Sequence, residues 1–442
     1  MIRLRTLLIL LAFGIISRAD AQDSVWTLSD CLSYAIENNL SIKQSDLDKK
    51  LTLVDQNTAT NARYPNLNLS TNAGMNLGRS INPTTNQFEN TQFSYYGISG
   101  GASVLLFGWF QKRYNIEKAQ IQVLQSNENY EQLKDDIILN ITTAYLRALL
   151  AKEQIDNAEH QIELSKINNT RIDKLLDAGK SNILELSQAN TQLSSDSAQY
   201  IQAQLNYQQS LIELKAIMNF DFKFPLAITH DLETASPMTF NPESVYQVAL
   251  NRFHGIKANE YAIQIAQKEM QIVKAASLPS INLYYSTGSN YSSSFYENLA
   301  NGERRLMNFG RQLNTNLSHS VGVGLNIPIF NNFTARNSFK TAKIGLEKAY
   351  VSNTEGLLKL KKDIYSACTD YQLTMRNLIN ATSLFGHAQK AFKAAEIRYE
   401  AGLIAYFEYL TEKNKYTIAQ QQVSSIKYDL EFKKRLIERF MN

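Results

Sequence analysis

The chain has 442 residues and a formal net charge of +4. Residues 1–21 hold three arginines and one aspartate, so their removal leaves +2, a balance that gives no pull toward nucleic acid. Only Cys31 and Cys368 are present, which excludes a disulfide-dense scaffold. One bridge between them is possible, and two unpaired buried thiols are the preferred reading.

The N-terminus reads as a secretory signal at 1–21. Arg3 and Arg5, an apolar run from Leu7 to Ile16, and Ala19-Asp20-Ala21 give the charged, apolar and small-x-small order of a cleaved peptide. The run is short for a membrane anchor, and no cysteine directly follows the cleavage site to accept a lipid. Beyond it the chain contains most of itself twice. Residues 107–219, shifted by 223 positions, fall on 330–442 without a gap, with Phe107, Arg113, Ala144, Gly179, Glu185 and Met218 meeting identical residues. Upstream, Ala35, Ile42, Lys43, Ala62 and Pro65 match Ala249, Ile256, Lys257, Ala276 and Pro279 at an offset of 214. Two tandem repeats are therefore expected, 22–219 and 241–442, joined by a linker at 220–240. That pattern takes precedence over the two or three domains that length alone suggests.

Each repeat opens with a helix. Thr27, Ser29 and Asp30 offer caps to the first, and Asn241-Pro242-Glu243 starts the second. Both should run to about Ala62 and Ala276, because Pro65 and Pro279 cannot continue them. After each proline the apolar period changes from 3.6 to 2. Leu67, Leu69, Thr71, Ala73, Met75 and Leu77 alternate with Asn66, Asn68, Ser70, Asn72, Gly74 and Asn76, and Val321, Val323, Leu325, Ile327 and Ile329 alternate with Gly322, Gly324 and Asn326. Strands are expected at about 65–79, 94–107, 279–291 and 317–330, with lengths that suit transmembrane β-strands. Soluble hairpins alternate in the same way. Polar tips join the pairs at 82–92 and 291–316. The second tip holds nine extra residues and Glu303-Arg304-Arg305, which marks an exposed loop at the end away from the helices.

Long helices follow, at 109–178 and 181–219 and again at 332–401 and 404–442. The first pair has no proline, and its glycines are Gly108 at the start and Gly179 at a turn. From Phe110 to Ala178, at about 1.5 Å per residue, the rod would be roughly 100 Å long.

These elements imply a conduit. No segment after the signal is long and apolar enough for a membrane helix. Strands in a bilayer must close into a barrel, and four are too few, since single-chain barrels start at about eight. Three chains would supply twelve. The class is thus mainly α with transmembrane β, each repeat being a helix, a β-hairpin and a long antiparallel helix pair. All helices hang on one side of the membrane. The Asn, Gln, Ser and Thr content of 187–209 fits either a lumen-wetted face or an ordinary solvated one.

Over nearly its whole mature length the chain resembles the TolC-like outer membrane efflux proteins. The resemblance is carried by the Leu28…Ala35…Asn39 helix, the Tyr64-Pro65 and Leu278-Pro279 strand entries, and the Leu106-Phe107-Gly108 exit. Ala178-Gly179 and Ala401-Gly402-Leu403 complete it, each glycine followed six residues later by a glutamate. It implies a homotrimer whose twelve-stranded barrel sits in outer membrane lipid and continues into a periplasmic α-helical barrel. A periplasmic adaptor and an inner-membrane transporter would dock at the glycine turns. Gly179, Gly402 and Leu403 then belong to the docking tip. Glu185 and Glu408 would form acidic rings near the mouth, and Tyr399 stands where relatives carry a tyrosine that helps close the entrance. The arginine and aspartate of the family's gate are Ile404 and Thr411 here, so the closed mouth would rest on Leu403, Ile404, Tyr406 and Phe407 unless these are packing residues.

Enzyme chemistry, cofactors and metals find no support in the sequence. His160, His230, His254, His319 and His387 are scattered without metal-ligand spacing. Gly179-Lys180-Ser181 ends like a phosphate-binding loop but lacks the upstream glycine and strand. Gly97, Gly100 and Gly101 read as small positions or bulges in a strand. The alternative to an export duct is a soluble periplasmic coiled-coil scaffold, and a secreted enzyme is the remote third.

Overall fold

The computed structural model describes residues 25–81, 86–229, 238–299 and 302–441. The expected signal at 1–21, part of the first hairpin tip and part of the linker lie outside these residues, as does His230. In chain order the elements are β1 (Val25–Trp26), α1 (Leu28–Asn38), α2 (Leu40–Asn61), β2 (Asn66–Ile81), β3 (Phe88–Phe107), α3 (Gln111–Asp177), α4 (Ile183–Met218) and β4 (Ala227–Ile228). They continue as α5 (Pro242–Arg252), α6 (His254–Ala276), β5 (Ser280–Ser292), β6 (Tyr296–Asn298), β7 (Arg304–Leu306), α7 (Phe309–Thr315), β8 (Ser318–Asn326), α8 (Thr334–Glu400) and α9 (Tyr406–Met441). α3 and α8 have 67 residues each, about 100 Å of helix at 1.5 Å per residue. Among the described residues no helix is long and apolar enough to cross a membrane.

Two compact units share the chain. One takes residues up to Asp46, Tyr130–His254 and Leu357 onward, and the other takes Leu47–Asn129 and Gly255–Gly356. Each draws on both sequence repeats.

The first unit is helical. Its main core joins Cys31, Ala35 and Ile42 to Ile141, Tyr145 and Leu149 of α3 and to Leu211, Leu214 and Met218 of α4. β1 and β4 pair in parallel beside it, and the Tyr145 hydroxyl, 2.6 Å from Thr229 O and 3.0 Å from Trp26 O, ties them to α3. The opening helix is not continuous to Ala62. Asn39 interrupts it with ψ of 129°. Its side-chain oxygen accepts from Ser41 N at 2.8 Å and Ile42 N at 3.1 Å, capping α2, while its Nδ2 donates to Ile217 O at 2.6 Å. The second repeat breaks at the equivalent place, Phe253, between α5 and α6.

Cys31 and Cys368 are both free and buried, which settles the pairing left open by the sequence. Desolvation pushes the Cys31 thiol up to about 12, and the Cys368 thiol is raised by the same cause. Since the thiolate is the reactive form, a maleimide at pH 7–8 is expected to leave both unlabelled in the native protein and to label both after denaturation. Rapid native labelling would contradict this packing.

The second unit is built on one antiparallel sheet of order β2-β3-β5-β8. Register puts Leu67, Leu69, Ala73 and Leu77 of β2 on one face with Ala102, Ile98 and Tyr96 of β3, Leu283 and Tyr285 of β5, and Val323 and Val321 of β8. Leu67, Leu69, Val321 and Val323 are largely exposed. The opposite face carries Asn66, Asn68, Asn72, Ser99, Asn282, Ser286 and Ser320. Two tyrosines lie on it over glycines, Tyr95 on Gly74 and Tyr284 on Gly322, where a Cβ would strike the hydroxyl.

Several bounds differ from expectation. β3 starts at Phe88 rather than 94, because Ile81 and Phe88 still pair across the first hairpin. β8 ends at Asn326 rather than 330, since Pro328 has no N–H to give a neighbouring strand. The second tip is not a plain loop but contains β6, β7 and α7. The strand-to-helix junctions hold bulky residues in left-handed conformations at equivalent places, Trp109 (φ +53°) and Phe110 (+65°), then Asn332 (+52°) and Phe333 (+59°). Trp109 Nε1 donates to Pro279 O at 2.9 Å and holds the first of them.

Candidate functional site at the glycine turns

Each long helix pair reverses at a glycine. Gly179 has φ of +68° and Gly402 of +71°, where a side chain is disfavoured. Gly179 N donates to Leu176 O at 2.9 Å and Lys180 N to Leu175 O at 2.7 Å. Gly402 N donates to Tyr399 O at 2.9 Å and Leu403 N to Arg398 O at 2.8 Å. Both turns are Schellman motifs, which satisfy the last carbonyls of the descending helix. The first turn then restarts through Asn182, whose side chain accepts from Glu185 N at 2.9 Å. Ser181 Oγ donates to Glu185 Oε2 at 2.6 Å, so this carboxylate helps cap its own helix at the positive end of the dipole. Glu408 holds the matching place in the first turn of α9 and is exposed.

The second turn rests on an aromatic cluster. Tyr406 and Tyr409 are buried with Ile172, Ala189 and Phe392, and Tyr399 and Ile404 pack against them. Tyr399 stacks on Tyr409 at 5.1 Å and meets Tyr406 at 5.5 Å. The Arg171 guanidinium lies 5.5 Å from the centre of the Tyr399 ring and donates to Glu400 O at 3.1 Å. Desolvation pushes the Tyr409 hydroxyl up to about 12 against the hydrogen bond from Asn168, and desolvation also raises Tyr399 and Tyr406. The cluster is therefore neutral at physiological pH. The four residues named together from sequence separate here: Tyr406 and Ile404 are packing residues, whereas Leu403 (69%) and Phe407 (67%) are exposed. The first turn adds Ile183 (69%) and Leu184 (64%), which sequence reading missed. Leu184 is the repeat partner of Phe407, so the offset of 223 could have found it.

Sequence reading also missed a polar seam within this unit. Lys413 Nζ of α9 lies 2.9 Å from Asp196 Oδ2 of α4 and 2.8 Å from Ser165 Oγ of α3. Ser165 Oγ donates to the same carboxylate, and Gln192 Nε2 donates to its other oxygen at 2.8 Å. The Lys413 and Asp196 side chains are nearly inaccessible. Further along α9, Gln420 donates to Asn157 at 2.6 Å and Ser424 to Glu153. Partners on α3 fall from 165 to 157 to 153 as those on α9 rise, an antiparallel register written in hydrogen bonds. Among the described residues no group of His, Cys, Asp or Glu is placed to hold a metal ion.

The exposed alternating sheet and the twice-used glycine turn have a counterpart among known proteins. The sequence profile for "outer membrane efflux protein" matches residues 31–219 and 245–434. This chain belongs to that family. It is similar to the probable outer membrane lipoprotein SilC of Salmonella typhimurium, 22% identical over 92% of this chain and 85% of that one. It is likewise similar to the cation efflux system protein CusC of Escherichia coli O157:H7, 22% identical over 94% and 87% of the two chains. In structure it matches the Campylobacter jejuni CmeC outer membrane channel with a TM-score of 0.80 at 17% identity, over 94% of this chain and 85% of that one. The protein is thus an outer membrane efflux protein with the channel fold, and a soluble scaffold is not favoured.

Proposed function

We propose that this efflux protein is the passive exit duct of a tripartite efflux or type I secretion assembly and works as a homotrimer. The observation that carries the reading is the β2-β3-β5-β8 sheet, exposed and apolar on one face, with β2 and β8 each paired on one side only among the described residues. Bare strand edges cannot stand in hydrocarbon, and four strands cannot close on themselves. Other copies must complete the ring. On this reading the leucine and valine face meets outer membrane lipid, and the asparagine and serine face lines the lumen. The helical part stands in the periplasm.

The other ends of α3 and α8 lead back toward the strands, whereas at the turns of Gly179 and Gly402 the long helices reverse into one another. There Leu403, with Phe407, Ile183 and Leu184, gives a periplasmic adaptor an apolar surface, and an inner-membrane transporter delivers the cargo. Glu185 and Glu408 supply carboxylates near the entrance. Tyr399 and Ile404 act on it through the aromatic packing of the second turn. No cofactor or bond-making step is needed.

Native mass measurement of detergent-extracted protein tests the reading, with three chains per particle expected. A monomer would overturn it. Retention in the outer membrane after a high-salt wash separates the duct from a peripheral scaffold.

A further inference from the structure

The segment between β5 and β8 is a folded foot. β6 and β7 pair antiparallel, and the fully buried Gln312 of α7 ties them to β5. Its Nε2 donates to Met307 O at 2.7 Å and Ser292 O at 3.0 Å, and its Oε1 accepts from Ser292 N at 2.9 Å. Ser289 Oγ donates to Leu313 O at 2.6 Å, fixing the end of α7.

The face it folds on is informative. Ser289 and Tyr291 share the side of β5 that carries Ile281, Leu283 and Tyr285, and Tyr291 is the direct partner of Tyr96. Phe309 of α7 lies 5.1 Å from the Tyr291 ring and 5.6 Å from that of Tyr96. The foot is therefore laid on the apolar side of the sheet, not over the opposite, polar side. From Ile281 to Tyr291 the strand climbs about 25 Å, taking roughly 3.3 Å per residue and a tilt of about 40°. That is the height of an apolar membrane band, so Phe309 sits where hydrocarbon gives way to headgroups.

There the foot exposes both kinds of group that such a boundary offers partners for. Phe309, Tyr296 and Leu306 are each more than one-third exposed. Arg304 lies on the same face of the small hairpin as Tyr296 and Leu306, Arg305 follows it on the other face across from Glu297, and both arginines are exposed. Among the described residues neither joins an ion pair, whereas Arg311 is held by Glu297 at 2.7 Å.

We propose that this foot binds a phosphorylated lipid of the outer leaflet, acyl chains against Phe309, Tyr296 and Leu306, and phosphate at Arg304 and Arg305. The inference rests on the lipid-facing reading of the apolar sheet face and is continuous with that surface. Guanidinium groups pair with phosphate through two parallel hydrogen bonds, and aromatic rings settle at membrane interfaces.

The test uses the full-length protein in phosphatidylcholine vesicles doped with bisphosphorylated lipid A or with its dephosphorylated form. Lipid retained after detergent extraction is read by native mass spectrometry. The wild type should retain the phosphorylated form at least about tenfold more, since charge-assisted hydrogen bonds exceed 1.4 kcal/mol. Arg304→Gln with Arg305→Gln should erase the preference, and the double lysine variant should restore part of it. Equal retention in wild type and glutamine variant overturns the proposal. So does full competition by inorganic phosphate, which would mark a site for free anions. Failure of every variant to insert into vesicles would sink the duct reading as well, whereas insertion without lipid preference sinks this inference alone.

Discussion

Replacing Gly402 by tryptophan together with Leu403 by aspartate should abolish adaptor co-purification and export while oligomer yield stays normal. A Cβ at Gly402 would meet nothing within 4 Å, so the start of a side chain displaces no packing. Its φ of +71° makes any L side chain strained, at a cost of about 1–2 kcal/mol, confined to an exposed turn. Loss of a central apolar contact at an interface costs about 2 kcal/mol or more, roughly thirtyfold in affinity. A charge at position 403 adds the penalty of desolvating it. Gly402→Asn, which tolerates the left-handed region, controls for strain and should leave export near normal. Lost oligomers in the asparagine variant would mean that the turn serves folding, and unchanged export in the tryptophan–aspartate variant would move docking elsewhere.

The second large effect concerns Lys413. Lys413→Met leaves Asp196 buried with two neutral donors and no cation, and breaking a buried pair from one side costs about 3–5 kcal/mol. Asp196→Leu should cost as much, because it strands the ammonium. Lys413→Met with Asp196→Leu should recover most of that loss, since apolar replacement of both partners is often near neutral. Thermal loss of the helical circular dichroism signal, followed for both singles and the double, measures the coupling. Additive losses would show that the pair does not work as a unit.

The alternation from Leu67 to Leu77 announced a strand because a face wetted on one side and apolar on the other leaves a period of two in the sequence. Gly179 and Gly402 announced their turns because proline-free helices of this length need a left-handed residue to stop. Lys413, Asp196 and Ser165 gave no such sign. A buried polar residue on a helix reads like a solvated one until the partner, more than 200 residues away for Lys413, is known. Gln312 was hidden for the same reason, its three backbone partners being invisible in a stretch rich in serine and asparagine. Asn39 was read as part of a continuing helix, though asparagine caps helices well; only its bonds to Ser41 and Ile42 reveal the break. The alternation at Ile327 and Ile329 carries the expected strand to 330, while Pro328 between them ends the pairing at Asn326.

One face of the sheet has a consequence for what can travel along it. Between 66–78, 93–103, 282–292 and 318–326, the side opposite the leucines and valines carries asparagine, serine, glycine, Phe93, Tyr95 and Tyr284 and not one charged residue. A wall without fixed charge sets up no field of its own beyond small dipoles, so neither cations nor anions are concentrated or repelled there. A bilayer conductance measurement would register this part of the pore as an ohmic, weakly selective resistor. On the duct reading, any sorting of cargo by charge falls to groups outside these stretches, Glu89 beyond Phe93 on the same face of β3 and the carboxylates proposed for the entrance, Glu185 and Glu408.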